Sequence, residues 1–257
     1  MAWLLREEQG IKYYRSSLLA GLPWLVHAFS TRGAGKRPEG GDGVGLADQQ
    51  AERRRFFALF QLSFTQVYMV NQVHGADVIT VEKTAAWDPT PEADGLLTNL
   101  PGVGLATVHA DCVPVLIVDP VRRAIAAVHA GWKGTLAQIV PKALQQMSRE
   151  YGTVPEDCWA AIGPAIGACC YRVSAERFKL FQKSCPEVGL IEQDGIYALD
   201  LVAINHHYLR SMGLSDARID PANLCTSCQR EDFYSYRREQ TTGRMLSLIA
   251  IKEKGKE

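Results

Sequence analysis

The chain has 257 residues, of which 47% are hydrophobic, and its 28 Lys and Arg residues are balanced by 28 Asp and Glu residues. This length and composition can supply a substantial core, which excludes a disordered chain. Because the net charge is zero, the composition favours neither nucleic acid nor an anionic membrane surface as a partner. A charged ligand would have to be held by a local cluster of charges.

The apolar stretches are short, and even the longest, such as residues 113–118, fall far below the roughly 20 residues that span a bilayer. The first residues, "MAWLLREEQG", have no basic segment ahead of the apolar run, which is wrong for a secretory signal. We therefore expect a cytoplasmic protein without a membrane partner.

Residues 30–50 are rich in glycine and charge, and this composition predicts a long loop of the kind that often covers a site. From residue 67 onward, short apolar runs recur, namely "VYMV", "DVITV", "GVGLATV", "VPVLIV", "AIAAV" and "CWAAI". Several of these runs lack polar alternation. They therefore predict strands that are buried on both faces of a layered structure.

Helical periodicity is clearest over residues 136–147, and it predicts a helix that ends near Gly152. Pro141 lies inside this pattern, where a missing hydrogen bond predicts a kink. A second helix is predicted over residues 201–212, with Asp200 as its N-cap and a glycine after its end.

Strand and helix patterns are interleaved without long linkers. We therefore expect residues 1–257 to form a single catalytic domain of the α/β class, a layered α-β sandwich with mixed sheets covered by helices.

Seven cysteines are too few for a disulfide-dense scaffold in a chain of this length, and we expect them to be reduced. Cys225 and Cys228 have the C-x-x-C spacing of a zinc knuckle or a redox pair. A closed zinc site needs four ligands. Cys169 and Cys170 are adjacent in the sequence, so no second pair of that spacing supports a site. We therefore expect Cys225 and Cys228 to be free of metal.

Two apolar runs end alike, in "TVHADC" and "AVHAGW", and place His109, Cys112 and His129 at the ends of predicted strands. These residues could form a metal site or a cysteine–histidine dyad, or they could simply end two strands. His74, in "VNQVHGADV", stands at a turn before a glycine, where a side chain can face a cleft. His206 and its neighbour on the predicted second helix have no acidic or cysteine partner one turn away, and we interpret both as structural.

The sequence resembles the family variously called polyphenol oxidase (laccase-like), peptidoglycan editing factor and purine nucleoside phosphorylase. The resemblance runs from about residue 71 to the C-terminus, and the order and number of the matching blocks make it specific. These blocks are "NQVHGADV", "ADGLLTN", "ADCVPVLIVD", "AAVHAGWKGT", "AAIGPAIGACCYRV", "FYSYRRE" and "TGR".

The resemblance implies one zinc ion held by His74, Cys112 and His129, which would be the metal ligands and catalytic residues. Three ligands of mixed nitrogen and sulfur type, with a fourth position open to water, are typical of a catalytic zinc. Copper is the alternative metal. The family usually has a hydroxyl residue where this chain has His109, so we interpret His109 as a supporting or structural residue.

The function implied by the resemblance is zinc-dependent phosphorolysis of adenosine, inosine, guanosine or methylthioadenosine, together with deamination of adenosine. Zinc lowers the pKa of a bound water molecule, which suits deamination at the purine C6. Phosphorolysis also needs phosphate aligned behind the ribose C1′, and we assign Arg32 and Lys133 to that task. The remaining expected substrate contacts are Asn71, Gln72 and Asp111.

Other functions remain open at this point. In a hydrolase, the Cys112 thiolate would attack an amide carbonyl of a cell-wall precursor with His129 as the base. A laccase-like oxidase needs several clustered imidazoles; the chain offers six histidines in all, of which only a few can be placed together, so we expect copper oxidation only as a side reaction. A nucleotide-binding module or a zinc-stabilised interaction domain fits an open three-ligand site poorly. We expect a monomer or a weak homo-oligomer that binds small molecules.

Overall fold

A computed structural model describes residues 3–32, 46–82, 90–185, 188–240 and 242–253. Residues 33–45 of the loop expected over residues 30–50 lie outside the described residues. The end of that loop was placed wrongly, because a helix begins at Leu46.

In chain order, the strands are β1 (Trp3–Glu8), β2 (Ile11–Ser16), β3 (Leu25–Ser30), β4 (Val67–Tyr68), β5 (Val78–Thr80), β6 (Gly95–Thr98), β7 (Gly104–His109), β8 (Val113–Asp119), β9 (Ala124–Ala130), β10 (Trp159–Ile162), β11 (Arg172–Val173), β12 (Leu190–Gln193), β13 (Ile196–Leu199), β14 (Ile219–Pro221) and β15 (Met245–Ile251). The α-helices are α1 (Leu46–Ala58), α2 (Trp132–Leu136), α3 (Ile139–Tyr151), α4 (Ala175–Ser184), α5 (Leu201–Ser211) and α6 (Tyr236–Glu239).

These strands form two six-stranded sheets and one small sheet. Sheet I has the spatial order β1-β2-β3-β15-β7-β4, and sheet II has the order β14-β10-β8-β9-β6-β5. Both are mixed: β4 runs parallel to β7 in sheet I, and β14 runs parallel to β10 in sheet II, whereas β8 and β9 are antiparallel. The small sheet has the order β11-β13-β12.

Sheet II is buried on both faces, as its unbroken apolar strands predict. Along β8, Val115 and Ile117 pack with helix α3, whereas Leu116 and Val118 pack against sheet I. Sheet I in turn is covered by α1, whose aromatic residues pack on β7 and β15. The resulting order of layers is helix, sheet, sheet, helix. The predicted fold class, an α-β sandwich of mixed sheets covered by helices, is confirmed; its description as a single catalytic domain stays a prediction.

The two sheets approach closely where β3 crosses β10. A Cβ atom added at Gly163 would overlap the ring of Phe29 and lie 2.9 Å from Pro114 Cγ. Because backbone and ring are in direct contact there, a side chain larger than hydrogen cannot be accommodated without moving one sheet relative to the other.

The predicted helix over residues 136–147 is two helices, α2 and α3, separated by Gln138 in the left-handed conformation at φ 59°. The kink predicted at Pro141 is wrong, because α3 begins at Ile139 and proline therefore lies in its first turn, where the backbone N–H would have no helical partner. Helix α5 agrees with its prediction: Asp200 accepts a hydrogen bond from the Ala203 N–H at 2.9 Å. In the described part of the chain, no helix has the length and apolar character needed to cross a membrane.

Candidate metal centre and active site

The site lies at the end of the sandwich where the chain passes from sheet I to sheet II. Cys112 occupies the short connection between β7 and β8, and His129 is the penultimate residue of β9. The register of β8 on β9 pairs Val113 with Ala130 and Pro114 with His129. The pairing of β8 with β9 therefore places Cys112 beside His129.

His74 reaches the site from the segment between β4 and β5. Its backbone is left-handed, with φ 59°, a conformation that costs energy for a residue with a Cβ atom and needs support from its surroundings. Asp94, directly before β6, supplies this support: its carboxylate accepts the N–H groups of His74 at 3.0 Å and of Gly75 at 2.5 Å. The exposed His74 is therefore held by a carboxylate that is fully buried.

The three predicted ligands come together. One ligand atom from each of His74, Cys112 and His129 lies within 4.8 Å of the other two, and the two imidazole rings are nearly perpendicular, with centroids 5.0 Å apart. Ligand atoms of a tetrahedral zinc site lie about 3.3–3.8 Å apart, given the usual zinc–nitrogen and zinc–sulfur bond lengths. The three residues could hold one metal ion, and their role as ligands stays a prediction.

Asp94 also orients His129. The carboxylate oxygen Oδ1 lies 2.8 Å from His129 Nδ1, and both side chains are almost fully buried. This hydrogen bond assigns the proton to Nδ1 and leaves Nε2 to face the other two ligands, the arrangement usual for a histidine that binds metal. Burial opposes ionisation of Asp94, but the bonds from His129 and from the backbone outweigh it and lower the pKa of the carboxyl.

The pKa shifts of Cys112 and His129 favour opposite charges on the two side chains. Burial opposes ionisation of the Cys112 thiol, but hydrogen bonds from His129 and His74 prevail and lower its pKa to about 6. Burial likewise opposes protonation of His129, yet its bonds to Asp94 and Cys112 raise its pKa to about 9. The half-buried cysteine is thus available as a thiolate at neutral pH, the form that binds metals and acts as a nucleophile.

Two glycines allow this close approach. A Cβ atom at Gly131 would lie 3.1 Å from His74 Cδ2 and 3.2 Å from Cys112 Sγ. At Gly134, on α2, a Cβ atom would lie 2.7 Å from the carbonyl oxygen of Gly75. The "HAGWKG" segment therefore lets helix α2 press directly on the turn that carries His74.

His109 does not belong to this group. Its Nε2 is 2.7 Å from Ser247 Oγ on β15, and burial lowers the pKa of its imidazole to about 3. His206, on α5, lies 3.5 Å from the Asp216 carboxylate. These contacts agree with structural roles for both histidines.

The two cations assigned to phosphate have different surroundings. Arg32 donates to the carbonyl oxygen of Arg230 at 2.7 Å and pairs with Glu239 at 3.1 Å, so its guanidinium is already engaged. Lys133 is exposed on α2, with its Nζ atom 5.8 Å from the centre of the Trp132 ring. Contact of either residue with substrate stays a prediction.

Gln72 and Asp111 make hydrogen bonds within the protein. The Gln72 amide donates to the Val108 carbonyl and accepts the Val108 N–H, both at 2.8 Å, and so extends the edge of β7. Asp111 accepts from the Thr226 hydroxyl at 2.7 Å and from the Arg237 N–H at 2.6 Å. These bonds position the segments on either side of the site.

Asn71 lies on an exposed bridge between two chain segments. It pairs with Glu92 through the backbone, and its side-chain amide is 3.4 Å from the Glu92 carboxylate. Like Gln72 and Asp111, it stays a predicted substrate contact.

Asp94 and two arginines, Arg177 and Arg237, are further candidate functional residues that no sequence motif predicted. An acidic residue directly before the short apolar run "GLL" is a signal for Asp94, since a buried carboxylate must be paired. Arg177 lies over the Trp132 ring at 4.2 Å, and its buried Nε has no hydrogen-bond partner. Arg237 lies over the ring of Tyr171 at 5.1 Å.

The expectation for Cys225 and Cys228 rested on the absence of a second cysteine pair, and that premise is wrong. The structure brings Cys169 and Cys170 against them, with one sulfur from each of the four residues within 4.8 Å of the others. The pairing is not visible as a second C-x-x-C spacing because the partners are adjacent in sequence.

Comparison with known proteins gives a consistent result. The profile of the family described as "Multi-copper polyphenol oxidoreductase laccase" matches residues 40–252. The chain is 36% identical over 213 residues to a purine nucleoside phosphorylase YlmD of Geobacillus stearothermophilus, a match that covers 78% of each chain. It is 34% identical over 246 residues to a purine nucleoside phosphorylase of Deinococcus radiodurans, covering 90% of this chain and 94% of the relative.

Solved structures agree with these matches. The crystal structure of YlmD from Geobacillus stearothermophilus superposes with a TM-score of 0.86 at 31% sequence identity, covering 98% of this chain and 100% of that one. A hypothetical protein YfiH of Bacillus licheniformis gives a TM-score of 0.85 at 29% identity, covering 96% and 99% of the two chains.

Proposed function

Because the chain belongs to the multi-copper polyphenol oxidoreductase laccase family and is similar to relatives named purine nucleoside phosphorylase, we propose that it catalyses the phosphorolysis of purine nucleosides. The observation that carries the proposal is the convergence of His74, Cys112 and His129 at the strand ends of the sandwich, with Asp94 buried behind them.

The donor set fits zinc. Two imidazoles and one thiolate are ligands that zinc accepts readily, and three protein ligands leave a fourth position for substrate or water. When bound there, zinc supplies a Lewis acid that polarises an oxygen atom. The contribution of the protein is to hold His129 through Asp94 and to keep Cys112 ionised, as the lowered pKa of that thiol indicates.

In phosphorolysis, a phosphate oxygen forms a bond to the ribose C1′ while the bond from C1′ to the purine nitrogen breaks, and the departing purine takes up a proton. The nucleophile is an anion and needs cationic residues to orient it. We assign this role to Arg177, Arg237 and Lys133, which surround Trp132 and Tyr171. Arg32, the cation first expected there, is less suited because Glu239 already neutralises it.

We further propose adenosine, inosine, guanosine and methylthioadenosine as substrates, and deamination of adenosine as a second activity. The name of the relatives supports the phosphorolysis. The deamination is added because an open zinc site suits hydrolytic attack on the purine C6. The half-buried Trp132 has the Arg177 guanidinium over its ring at 4.2 Å, and we assign the uncovered part of this ring to stacking on the purine.

Polyphenol oxidation fits the described residues less well. A multicopper oxidase clusters many imidazoles around its copper ions. Of the six histidines, all of which lie in the described ranges, two belong to the group with Cys112, while His27 and His109 are buried on hydrogen bonds elsewhere. Copper in place of zinc at the three-ligand site would be a single ion.

A second candidate, an amide hydrolase acting on a cell-wall precursor, is favoured by one observation. The Cys112 sulfur and a ring nitrogen of His129 lie within 4.8 Å of each other, and the lowered pKa of Cys112, about 6, together with the raised pKa of His129, about 9, favours a thiolate–imidazolium pair when no metal is present. Such a pair is the usual nucleophile of cysteine hydrolases. In this function, metal on the sulfur would inhibit.

The test is an assay of purified protein with its native metal against a panel of nucleosides, with and without inorganic phosphate. We expect phosphate-dependent release of free purine and of ribose 1-phosphate, phosphate-independent conversion of adenosine to inosine, and loss of both activities on chelation. No release of purine from any nucleoside in the presence of phosphate would overturn the proposal. Amide hydrolysis that increases on chelation would establish the second candidate instead.

A further inference from the structure

The cysteine pairs Cys169/Cys170 and Cys225/Cys228 are brought together by backbone pairing. The parallel strands β10 and β14 continue into the two cysteine segments through a bridge between Ala165 and Cys225. In this extension, the Thr226 N–H donates to the Ala165 carbonyl at 3.0 Å. The meeting of the four cysteines is therefore a consequence of the sheet and lies outside the His74–Cys112–His129 group.

We propose that Cys169, Cys170, Cys225 and Cys228 form a second metal site that binds one zinc ion through four thiolates. The Sγ atom of Cys228 lies 3.7 Å from that of Cys169 and 3.4 Å from that of Cys170. In a tetrahedral site with zinc–sulfur bonds of about 2.3 Å, neighbouring sulfurs lie about 3.8 Å apart. The separation from Cys169 agrees with this value, the separation from Cys170 is somewhat shorter, and all four sulfurs lie within 4.8 Å of one another.

One of the four sulfurs accepts a backbone hydrogen bond. The Gly167 N–H donates to Cys225 Sγ at 3.3 Å. Such bonds disperse the negative charge of thiolates bound to metal. A Cβ atom at Gly167 would lie 3.3 Å from Cys169 Sγ, so the glycine leaves room for the backbone to approach the sulfurs.

The geometry also selects among sulfur-rich sites. A polynuclear iron–sulfur cluster places inorganic sulfides between its irons, so its cysteine sulfurs are spread around several metal atoms. Here one sulfur from each cysteine lies within 4.8 Å of all the others, which fits a single ion. Four thiolates without an open position are typical of zinc in a structural role.

Hydrogen bonds connect the four-cysteine site to the His74–Cys112–His129 group. Thr226, next to Cys225, donates to one oxygen of Asp111 at 2.7 Å, and the Ile166 N–H donates to the Asp111 carbonyl at 2.9 Å. Asp111 directly precedes Cys112 and has a φ of 91°, a strained conformation that needs external support. The four-cysteine site therefore fixes the turn that presents Cys112.

The test counts metal ions on the full-length protein as purified and then records the spectrum of the cobalt-substituted form. We expect about two zinc ions per chain, and about one after Cys228→Ser or after Cys112→Ser, since each change opens a different site. Cys158→Ala, which alters a buried cysteine outside both groups, should retain two. Cobalt in Cys112→Ser should show the intense sulfur-to-metal charge transfer of four thiolates.

Cys228→His provides a second variant if serine prevents folding, because it keeps four ligands: it should retain two metal ions, and its cobalt charge-transfer band should weaken as one thiolate is lost. The inference is overturned by a wild type that holds a single metal lost in Cys112→Ser, by an iron chromophore, or by a disulfide among these four cysteines in the native protein. Because metal is counted without any substrate, failure of the proposed phosphorolysis would leave this result unaffected.

Discussion

Asp94 and His129 are joined by a buried hydrogen bond of 2.8 Å, and the same carboxylate accepts the backbone N–H groups of His74 and Gly75. One buried anion thus fixes the ring of one proposed ligand and the backbone of another. Since Cys112 is placed by strand pairing, Asp94 is the residue on which the relative position of the two histidines depends.

Asp94→Asn should weaken metal binding at this site by about 10–100-fold, the usual effect of losing the partner of a ligating histidine. Asparagine keeps the shape of the side chain but removes the charge that retains the proton on His129 Nδ1. The measurement is a competition titration with a chelator of known affinity. Asp77→Asn, at an exposed position in the same turn region, is the matched control. Equal affinities for the two variants would contradict the role assigned to Asp94.

Gly134→Ala should destabilise the protein by about 1–3 kcal/mol, because the added methyl group meets a backbone carbonyl that cannot rotate away. The contact is with Gly75 O, at 2.7 Å from the ideal Cβ position, so the turn that carries His74 must shift. Urea denaturation of the metal-free protein measures the cost, and Gly21→Ala, where a Cβ atom meets nothing within 4 Å, is the control. A cost no larger than that of the control would show that α2 can move freely.

Short-range patterns in the sequence predict the sandwich and place Cys112 and His129 at strand ends, whereas the grouping of His74 with these two residues was implied by the resemblance to the family. Unbroken apolar runs indicate buried strands, and residues just beyond strand ends collect at an edge of a sheet. The four-cysteine cluster could not be found in this way, since it depends on the parallel register of β10 and β14, which are about 60 residues apart in the chain. Pro141 was misjudged for a local reason: the periodicity gives the face of a helix but not its first residue.

Thr226→Val should lower both stability and metal affinity at the site of Cys112. It removes the hydroxyl that satisfies Asp111 Oδ1, and an unsatisfied buried carboxylate oxygen costs about 1–3 kcal/mol. Thr226→Ser keeps the hydroxyl and should restore both properties to near the wild-type values. Denaturation and chelator competition measure the two effects. A valine variant that loses stability but keeps full metal affinity would show that Asp111 does not transmit position to Cys112.

The burial of His27 predicts that the folded protein loses stability at acid pH. It is fully buried on β3 with Nε2 3.1 Å from the Ser16 carbonyl, and burial lowers its pKa from 6.5 to about 3. Above pH 6.5 His27 is neutral in both the folded and the unfolded chain. Below that pH only the unfolded chain takes up the proton, so the free energy of unfolding falls until the pH reaches the folded pKa.

The slope due to His27 should be about 1.4 kcal/mol per pH unit between pH 6 and pH 4. His27→Gln can keep the hydrogen bond to Ser16 but binds no proton, so its stability should fall less steeply by that amount. Denaturant unfolding at several pH values, with chelator present in both samples, measures the difference. Parallel pH profiles for the two proteins would mean that His27 is protonated in the folded state.

Cys112 has two possible roles, metal ligand and nucleophile, and substitutions distinguish them. As a metal ligand, it should lose metal on Cys112→Ser, because a hydroxyl is a far poorer ligand than a thiolate, and nucleoside turnover should fall in proportion to the zinc lost from this site. His129→Ala should behave in the same way, since it removes another ligand.

If Cys112 is instead the nucleophile, Cys112→Ser should abolish activity without changing the metal content. A chelator should then leave the wild type active, and a thiol-directed reagent should label Cys112 and inactivate the enzyme. Because ligand atoms of both His74 and His129 lie within 4.8 Å of the same sulfur, we expect the ligand behaviour. Measuring zinc, turnover and labelling on the same preparations decides the matter, and a chelator-resistant, zinc-free active protein would rule the ligand role out.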